Sequence, residues 1–167
     1  MLDCEQTAHG ESAMEQEILR IFEAHLAEYL DDLRNIVDQE SPSDDLTSLV
    51  SLQRWLRGYL ERVGLTVESL GDGDILHATA RGGLGGRIVL IGHVDTVFPL
   101  GECRRRPFRV DGNRAYGPGA ADMKGGVLLM AYALRALTES ATPFGTVELV
   151  INADEEIGSP RAHPVIA

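Results

Sequence analysis

Apolar residues recur along the first third of the chain at the spacing of a helix. From Glu15 to Val37 they follow one helical face, which predicts a long amphipathic helix. Ser41-Pro42-Ser43-Asp44 interrupts the pattern and supplies capping residues for a second helix over about Asp45–Val63. Residues 1–14 are polar and show no periodicity, so we expect a disordered tail there.

The rest of the chain alternates predicted strands with a helix. The apolar segment Arg87–Ile91 predicts a strand buried on both faces. Other predicted elements are strands at Leu65–Leu70 and Ile75–Ala80, a β-hairpin from Phe108 to Tyr116, a helix over Met123–Thr138, and a last strand, Thr146–Asn152, expected to present an exposed edge. This alternation predicts an α/β fold, a three-layer sandwich whose sheet is mixed because of the hairpin.

The composition and net charge of the chain limit which classes of binding partner are expected. The net charge of −11 argues against nucleic acid and gives no basic surface for an anionic membrane. Two cysteines, Cys4 and Cys103, do not make a disulfide framework, and the chain has no apolar run long enough to cross a membrane. Residues 1–16 lack the features of a secretory signal, so a cytoplasmic location is expected.

The end of the Arg87–Ile91 strand carries candidate chemistry. Side chains alternate along an extended segment, so His93 and Asp95 leave the backbone on the same side. A histidine in this position can bind a metal while the carboxylate two residues later orients its ring. Taken alone, however, the pair is better explained as the start of a solvated loop.

Three more carboxylates lie near predicted element ends. Asp122 precedes a helix and, alone, is best explained as an N-cap. Glu155 and Glu156 follow the last strand and, alone, suggest a solvated turn. Together with His93 these groups offer one imidazole and several carboxylates, a mixture that suits zinc or a similar divalent ion. Glu155 would then serve as a base toward a metal-bound water, and Glu156 as a ligand.

Three segments of the sequence resemble successive motifs of the M20 family of metallopeptidases. That family includes glutamate carboxypeptidase, acetylornithine deacetylase and succinyl-diaminopimelate desuccinylase. Pro118, between two glycines, most resembles the glutamate carboxypeptidase branch. The segments are Gly92-His93-Val94-Asp95-Thr96-Val97, Gly117-Pro118-Gly119-Ala120-Ala121-Asp122-Met123-Lys124-Gly125-Gly126 and Asp154-Glu155-Glu156-Ile157-Gly158-Ser159.

The resemblance implies a zinc-exopeptidase-like catalytic domain and a role for each candidate residue. His93 would bind one metal ion, Glu156 a second, and Asp122 would bridge them, while Asp95 orients His93 and Glu155 acts as general base and acid. The ions would be zinc, with cobalt or manganese fitting the same ligands. The implied reaction is hydrolysis of an amide bond next to a free carboxylate by a hydroxide held between the ions, on a small peptide or an N-acyl amino acid.

The family pattern also contains parts that this sequence does not. It requires a further acidic ligand, a distant histidine for which His163 lies too close, and a smaller inserted domain through which many members dimerise. Residues 15–167 are therefore expected to be the N-terminal, C-terminally incomplete part of a catalytic domain, with a homodimer an expectation for the longer protein. Each metal ion would lack one protein ligand, which predicts a weak site and an inactive chain when alone.

Two function hypotheses follow. The first is the N-terminal part of a metal-dependent peptidase or amidohydrolase, and the second is a short, inactive chain that acts as a binding or interaction module. The joint presence of His93, Asp122, Glu155 and Glu156 favours the first. A nucleotide-binding α/β domain is disfavoured, because Asp122 would repel phosphate at its strand-to-helix turn.

Two further segments could be given a functional interpretation. Gly82–Gly86 resembles a phosphate-binding loop, but it precedes a strand, whereas such loops follow a strand and open a helix, so a flexible turn is favoured. Arg104-Arg105-Arg106 suggests an anion clamp, and a solvated charge run that balances local acid is favoured over it.

Overall fold

The computed structural model describes residues 13–140 and 143–166. The predicted tail lies outside this part up to residue 12, and Ala13 and Met14 are the first residues of a helix. The helices are α1 (Ala13–Ala24), α2 (Leu26–Val37), α3 (Leu46–Arg62), α4 (Glu102–Arg105), α5 (Gly125–Glu139) and α6 (His163–Ile166). The strands are β1 (Thr66–Leu70), β2 (Ile75–Arg81), β3 (Arg87–His93), β4 (Arg109–Asp111), β5 (Arg114–Tyr116) and β6 (Thr146–Asn152).

The single long helix predicted from Glu15 to Val37 is wrong, because the chain breaks at His25. His25 has φ −99° and ψ 4°, outside helical geometry, and separates α1 from α2. Its ring nitrogens lie 3.0 Å from Glu28 Oε2 and 3.2 Å from Glu139 Oε2. These contacts tie the break to the end of α5, a tertiary interaction that helical periodicity does not report.

The main sheet has four strands in the order β1-β2-β6-β3. β1 pairs with β2 and β2 with β6 in antiparallel fashion, whereas β3 and β6 are parallel, so the prediction of a mixed sheet is confirmed. The predicted hairpin, β4 and β5, forms a separate two-stranded sheet and is not the cause of the mixing. The prediction of an exposed edge on the last strand is wrong, since β6 is paired on both sides.

The hydrophobic core lies between one face of the main sheet and the helices. Alternate residues of β2 and β6 point into it, among them Ala78 and Leu149, which belong to the same core as Leu56 of α3 and Leu128 of α5. On the opposite face, Val165 and Ile166 of α6 border a cavity of about 220 Å³. Of the three predicted layers, the described residues thus form a helical layer and the sheet, with α6 against the other face.

β3 is not buried on both faces as predicted. The side chains of Ile88, Val89 and Ile91 are 59%, 44% and 49% exposed. β3 lies at the end of the sheet order, with β6 on one side and no strand of the described residues on the other. The apolar composition correctly predicts a strand, but the burial of that strand depends on neighbours that composition does not specify.

None of the described helices is both long and apolar enough to cross a membrane.

Candidate metal centre

The parallel pairing of β3 and β6 brings two loops to the same end of the sheet. His93, the last residue of β3, pairs in register with Asn152, the last residue of β6. The chain then continues into Asp95 on one side and into Glu155 and Glu156 on the other. The ends of parallel strands in α/β sheets are where ligands bind, and here they collect an imidazole and three carboxylates.

Asp95 holds the two loops together. Its fully buried carboxylate accepts hydrogen bonds from the Ser43 hydroxyl at 2.7 Å and from the backbone N–H groups of Glu155 and Glu156, both at 3.1 Å. Burial alone would raise the pKa of Asp95, but these hydrogen bonds and the contact with His93 lower it. Asp95 Oδ1 lies 3.3 Å from His93 Nδ1, the position from which a carboxylate orients a histidine ring.

Asp122 lies at a kink within Ala120–Lys124, where the backbone of Asp122 and Met123 is non-helical, and it does not cap α5, whose N-cap is Lys124. Asp122 has φ −129° and ψ 101°, and its peptide bond to Met123 is cis. Gly119 precedes the segment with φ 72°, a left-handed conformation that suits glycine. The segment presents the Asp122 side chain, 80% exposed, with Oδ1 3.2 Å from His93 Nε2.

Glu155 and Glu156 lie in a 3₁₀ turn from Glu155 to Ile157, separated from the end of β6 by two residues. Glu155 Oε2 is 3.8 Å from His93 Nε2, and the Glu155 side chain is 54% exposed. Partial burial raises the pKa of Glu156, and the carboxylates of Asp122, Asp95 and Glu155 raise it further, against the opposing effect of His93. The turn therefore gathers negative charge that a cation would neutralise.

His93, Asp122 and Glu156 each offer one ligand atom, and the three atoms lie within 4.8 Å of one another. Burial alone would lower the pKa of His93, but hydrogen bonds to Asp95 and Asp122 and the charge of Glu155 raise it to about 9. A nitrogen and two carboxylate oxygens form a donor set that zinc and related divalent ions accept. The donors present thus fit the metal that the sequence suggests, and His163, which the sequence excludes as a ligand, is exposed in α6 and outside this group.

Three further residues position the centre, and the sequence did not predict these roles. Lys124 is fully buried and donates from Nζ to the Gln39 carbonyl at 2.7 Å, which anchors the segment carrying Asp122. Burial lowers the pKa of Lys124 to about 8. Arg161 donates from Nε to the buried Asp74 at 2.6 Å and thereby braces the loop after β6. Ser43 adds its bond to Asp95. Lys124 lies inside the second motif and Arg161 lies shortly after the third, whereas no local pattern marks Ser43.

Residues 89–167 match the family model described as peptidase family M20/M25/M40. Among curated proteins, the chain is 35% identical over 133 residues to carboxypeptidase G2 of Pseudomonas sp. (strain RS-16), covering 76% of this chain and 32% of the relative. It is 39% identical over 111 residues to succinyl-diaminopimelate desuccinylase of Xylella fastidiosa (strain 9a5c), covering 62% and 29%. These matches confirm the resemblance seen in the motifs.

The fold is also shared with solved structures. Human carnosine dipeptidase 1 superposes with a TM-score of 0.76 at 22% identity, covering 93% of this chain and 38% of the other. At this identity the likeness shows the fold, and the fold class predicted from the sequence is confirmed. The chain spans about a third of the length of the curated relatives it matches.

Proposed function

Since residues 89–167 match the model of peptidase family M20/M25/M40, we propose that the chain belongs to this family and carries the metal centre of a hydrolase that cleaves an amide or peptide bond next to a free carboxylate. The observation that supports this most directly is the convergence of His93, Asp122 and Glu156 within 4.8 Å, with the carboxylate of Glu155 beside them. Ligands together with a neighbouring free carboxylate are what metal-assisted hydrolysis requires.

His93 and Glu156 would each hold one of two zinc ions, and Asp122 would be a ligand shared by both. Asp122 suits the bridge because its exposed carboxylate has two oxygens, of which one already faces His93 at 3.2 Å. When bound, the metal would polarise the carbonyl oxygen of the scissile amide and make water a stronger nucleophile at neutral pH. His93 would keep its coordinating nitrogen directed at the site because Asp95 holds the other ring nitrogen.

Glu155 carries the proton. Its Oε2 would accept a proton from the attacking water and then deliver it to the nitrogen of the leaving amine, as a general base followed by a general acid. The backbone N–H of Glu155 is fixed by Asp95 at 3.1 Å, so the residue is anchored while its side chain, 54% exposed, remains accessible to a substrate.

The substrate class follows from the relatives. A carboxypeptidase and a desuccinylase both match this chain, and their names describe removal of a C-terminal residue and of a succinyl group. We therefore propose a small peptide or an N-acyl amino acid as the substrate.

The test titrates the chain with Zn²⁺ and assays hydrolysis of N-acyl amino acids in parallel. Two bound ions and turnover that falls at least about a hundredfold in Glu155→Gln would support the proposal. Glu68→Gln, an exposed glutamate on β1, is the matched control and should leave turnover unchanged. Glu156→Gln should weaken metal binding, whereas Glu155→Gln should not. Metal binding without turnover would agree with the expected inactivity of the chain alone or with a binding module, and no metal binding would contradict the assignment.

A further inference from the structure

Positive charge is concentrated in one segment of this acidic protein. The chain carries a net charge of −11, yet residues 102–116 contain a cluster of arginines against two acidic residues. The arginines are Arg104, Arg105, Arg106, Arg109 and Arg114, and the acids are Glu102 and Asp111. The positive charge of this segment is not needed for solubility, because the negative charge on the rest of the surface already makes the protein soluble.

Three of these arginines border one cavity. The cavity has a volume of about 520 Å³ and is also lined by Tyr116, Ala120 and Ala121. Ala121 on the cavity wall directly precedes Asp122 of the candidate metal centre in the chain. The arginines on its wall are Arg105, Arg106 and Arg109, while Arg104 and Arg114 do not line it.

The positive charges on the cavity wall are only partly balanced. Arg105 and Arg106 share a single carboxylate, that of Glu102, whose side chain is 8% exposed. Arg109 lies over the ring of Tyr116 at 3.9 Å from its centroid, and its nearest acid is Asp111 at 3.7 Å. Glu102 thus positions two guanidinium groups while neutralising one charge. The charge run thus balances local acid, as the sequence favours, and also leaves positive charge on the cavity wall.

We propose that this cavity binds a small oxyanion of the carboxylate or phosphate class through Arg105, Arg106 and Arg109. Guanidinium groups bind such anions with paired, charge-assisted hydrogen bonds, and the side chains of Arg105 and Arg109 are 78% and 59% exposed and so free to form them. The anion is either free or a side group of the substrate. The second case rests on the proposed function, whereas binding of the anion itself does not.

The primary experiment measures binding of inorganic phosphate and of succinate to the metal-free chain at constant ionic strength, by chemical-shift titration that includes the Tyr116 ring. The test variant is Arg105→Gln/Arg109→Gln, which keeps Arg106 because its guanidinium lies over Phe98 at 4.4 Å. The matched control is Arg104→Gln/Arg114→Gln, which removes the same charge outside the cavity. The test variant should bind at least about tenfold more weakly, and the control within about twofold of the unaltered chain.

Equal weakening in both variants would overturn the proposal, since it would indicate a general field of charge, and so would unchanged binding in the test variant. Circular dichroism and melting curves of both variants identify any loss of folding. A variant that fails to fold is replaced by the single change Arg105→Gln, with Arg104→Gln as its control.

A second arm separates the two sources of the anion. N-acetylglutamate and N-acetylglutamine have the same shape and differ in one charge. If the substrate carries the anion, the unaltered chain should prefer N-acetylglutamate, and Arg105→Gln/Arg109→Gln should abolish the preference. Equal binding of the two, with phosphate binding still dependent on the cavity, assigns the site to a free anion. A failure of zinc binding or turnover leaves these results unchanged, so it counts against the proposed function alone.

Discussion

The backbone N–H of Glu156 donates to the buried carboxylate of Asp95 at 3.1 Å. This bond joins the loop after β3 to the loop after β6, and a second bond from the Glu155 N–H doubles it. Asp95 is therefore a structural clamp between two halves of the candidate metal centre as well as a partner of His93.

Asp95→Asn should weaken zinc binding by about 10–100-fold, the usual effect of losing a group that orients a metal ligand. The amide nitrogen of asparagine cannot accept an N–H, so one of the two backbone bonds is lost. Zinc titration against a competing chelator measures the effect. Ser43→Ala, which removes a single neutral donor at 2.7 Å, is the control and should cost less than about tenfold. Equal affinity of Asp95→Asn and the unaltered chain would contradict the clamp.

Gly92→Ala should destabilise the fold by about 1–3 kcal/mol, because an added methyl group overpacks the interface between β3 and α5. A Cβ at this position would lie 2.8 Å from Met130 Cε and 2.9 Å from Val127 Cγ2. Urea unfolding measures the change. Gly85→Ala is the counterpart: its Cβ would meet nothing within 4 Å, and a gain of about 0.4–1 kcal/mol is expected. Similar stability of the two variants would show that β3 can move away from α5.

Arg161→Ala should destabilise the fold by about 2–3 kcal/mol. Breaking a fully buried ion pair from one side costs about 3–5 kcal/mol, and the 34% exposure of Arg161 lowers this value. The remaining Asp74 carboxylate, 1% exposed, would be left without its cation. Adding Asp74→Asn to Arg161→Ala should recover part of the loss, and thermal melts of the two variants test this. No recovery would mean that the loss comes from the other bonds of Arg161.

Glu148 should contribute a pH-dependent part of the stability. Hydrogen bonds from Arg87 at 2.7 and 2.8 Å, followed by one from His77, hold the pKa of Glu148 below its ordinary value of 4.5. A lowered folded-state pKa means that the stabilisation is complete above about pH 4.5 and is lost as the pH falls through the folded value. The difference in free energy of unfolding between the unaltered chain and Glu148→Gln should therefore shrink below pH 4.5.

Glu68→Gln on β1, which β2 separates from β6, serves as the control for this titration. The pKa of Glu148 is set by partners on two adjacent strands, whereas Glu68 is exposed. Urea unfolding at neutral pH and near pH 3.5 should show a change for Glu148→Gln that Glu68→Gln does not share. A constant difference for Glu148→Gln across this range would contradict the assignment.

The elements of the fold could be predicted from local patterns, and their surroundings could not. β6 was located correctly because seven residues from Thr146 to Asn152 are extended and mostly apolar. Its place between β2 and β3, and the exposure of Ile88 and Ile91, depend on pairing between distant segments. The break at His25 escaped detection because the apolar residues continue past it at helical spacing.

The candidate metal centre likewise has residues that the sequence predicts and residues that it does not. His93, Asp122 and Glu156 were identified because each lies in a recognisable motif, and the structure brings them together. The groups that hold them are separated in sequence from what they contact: Ser43 lies 52 residues from Asp95, and Arg161 lies 87 residues from Asp74. Only the folded chain reveals such pairs.

The central position of β6 has a consequence for how the protein is made. Among the described residues β6 is the last strand, yet it separates β2 from β3 in the sheet. On the ribosome, β2 and β3 emerge first and have no native partner across that gap until residues 146–152 have left the exit tunnel. Until then the apolar side chains of both strands stay in contact with water or with a chaperone. The four-stranded sheet therefore forms only when β6 pairs with β2 and β3, after both of those strands have been synthesised.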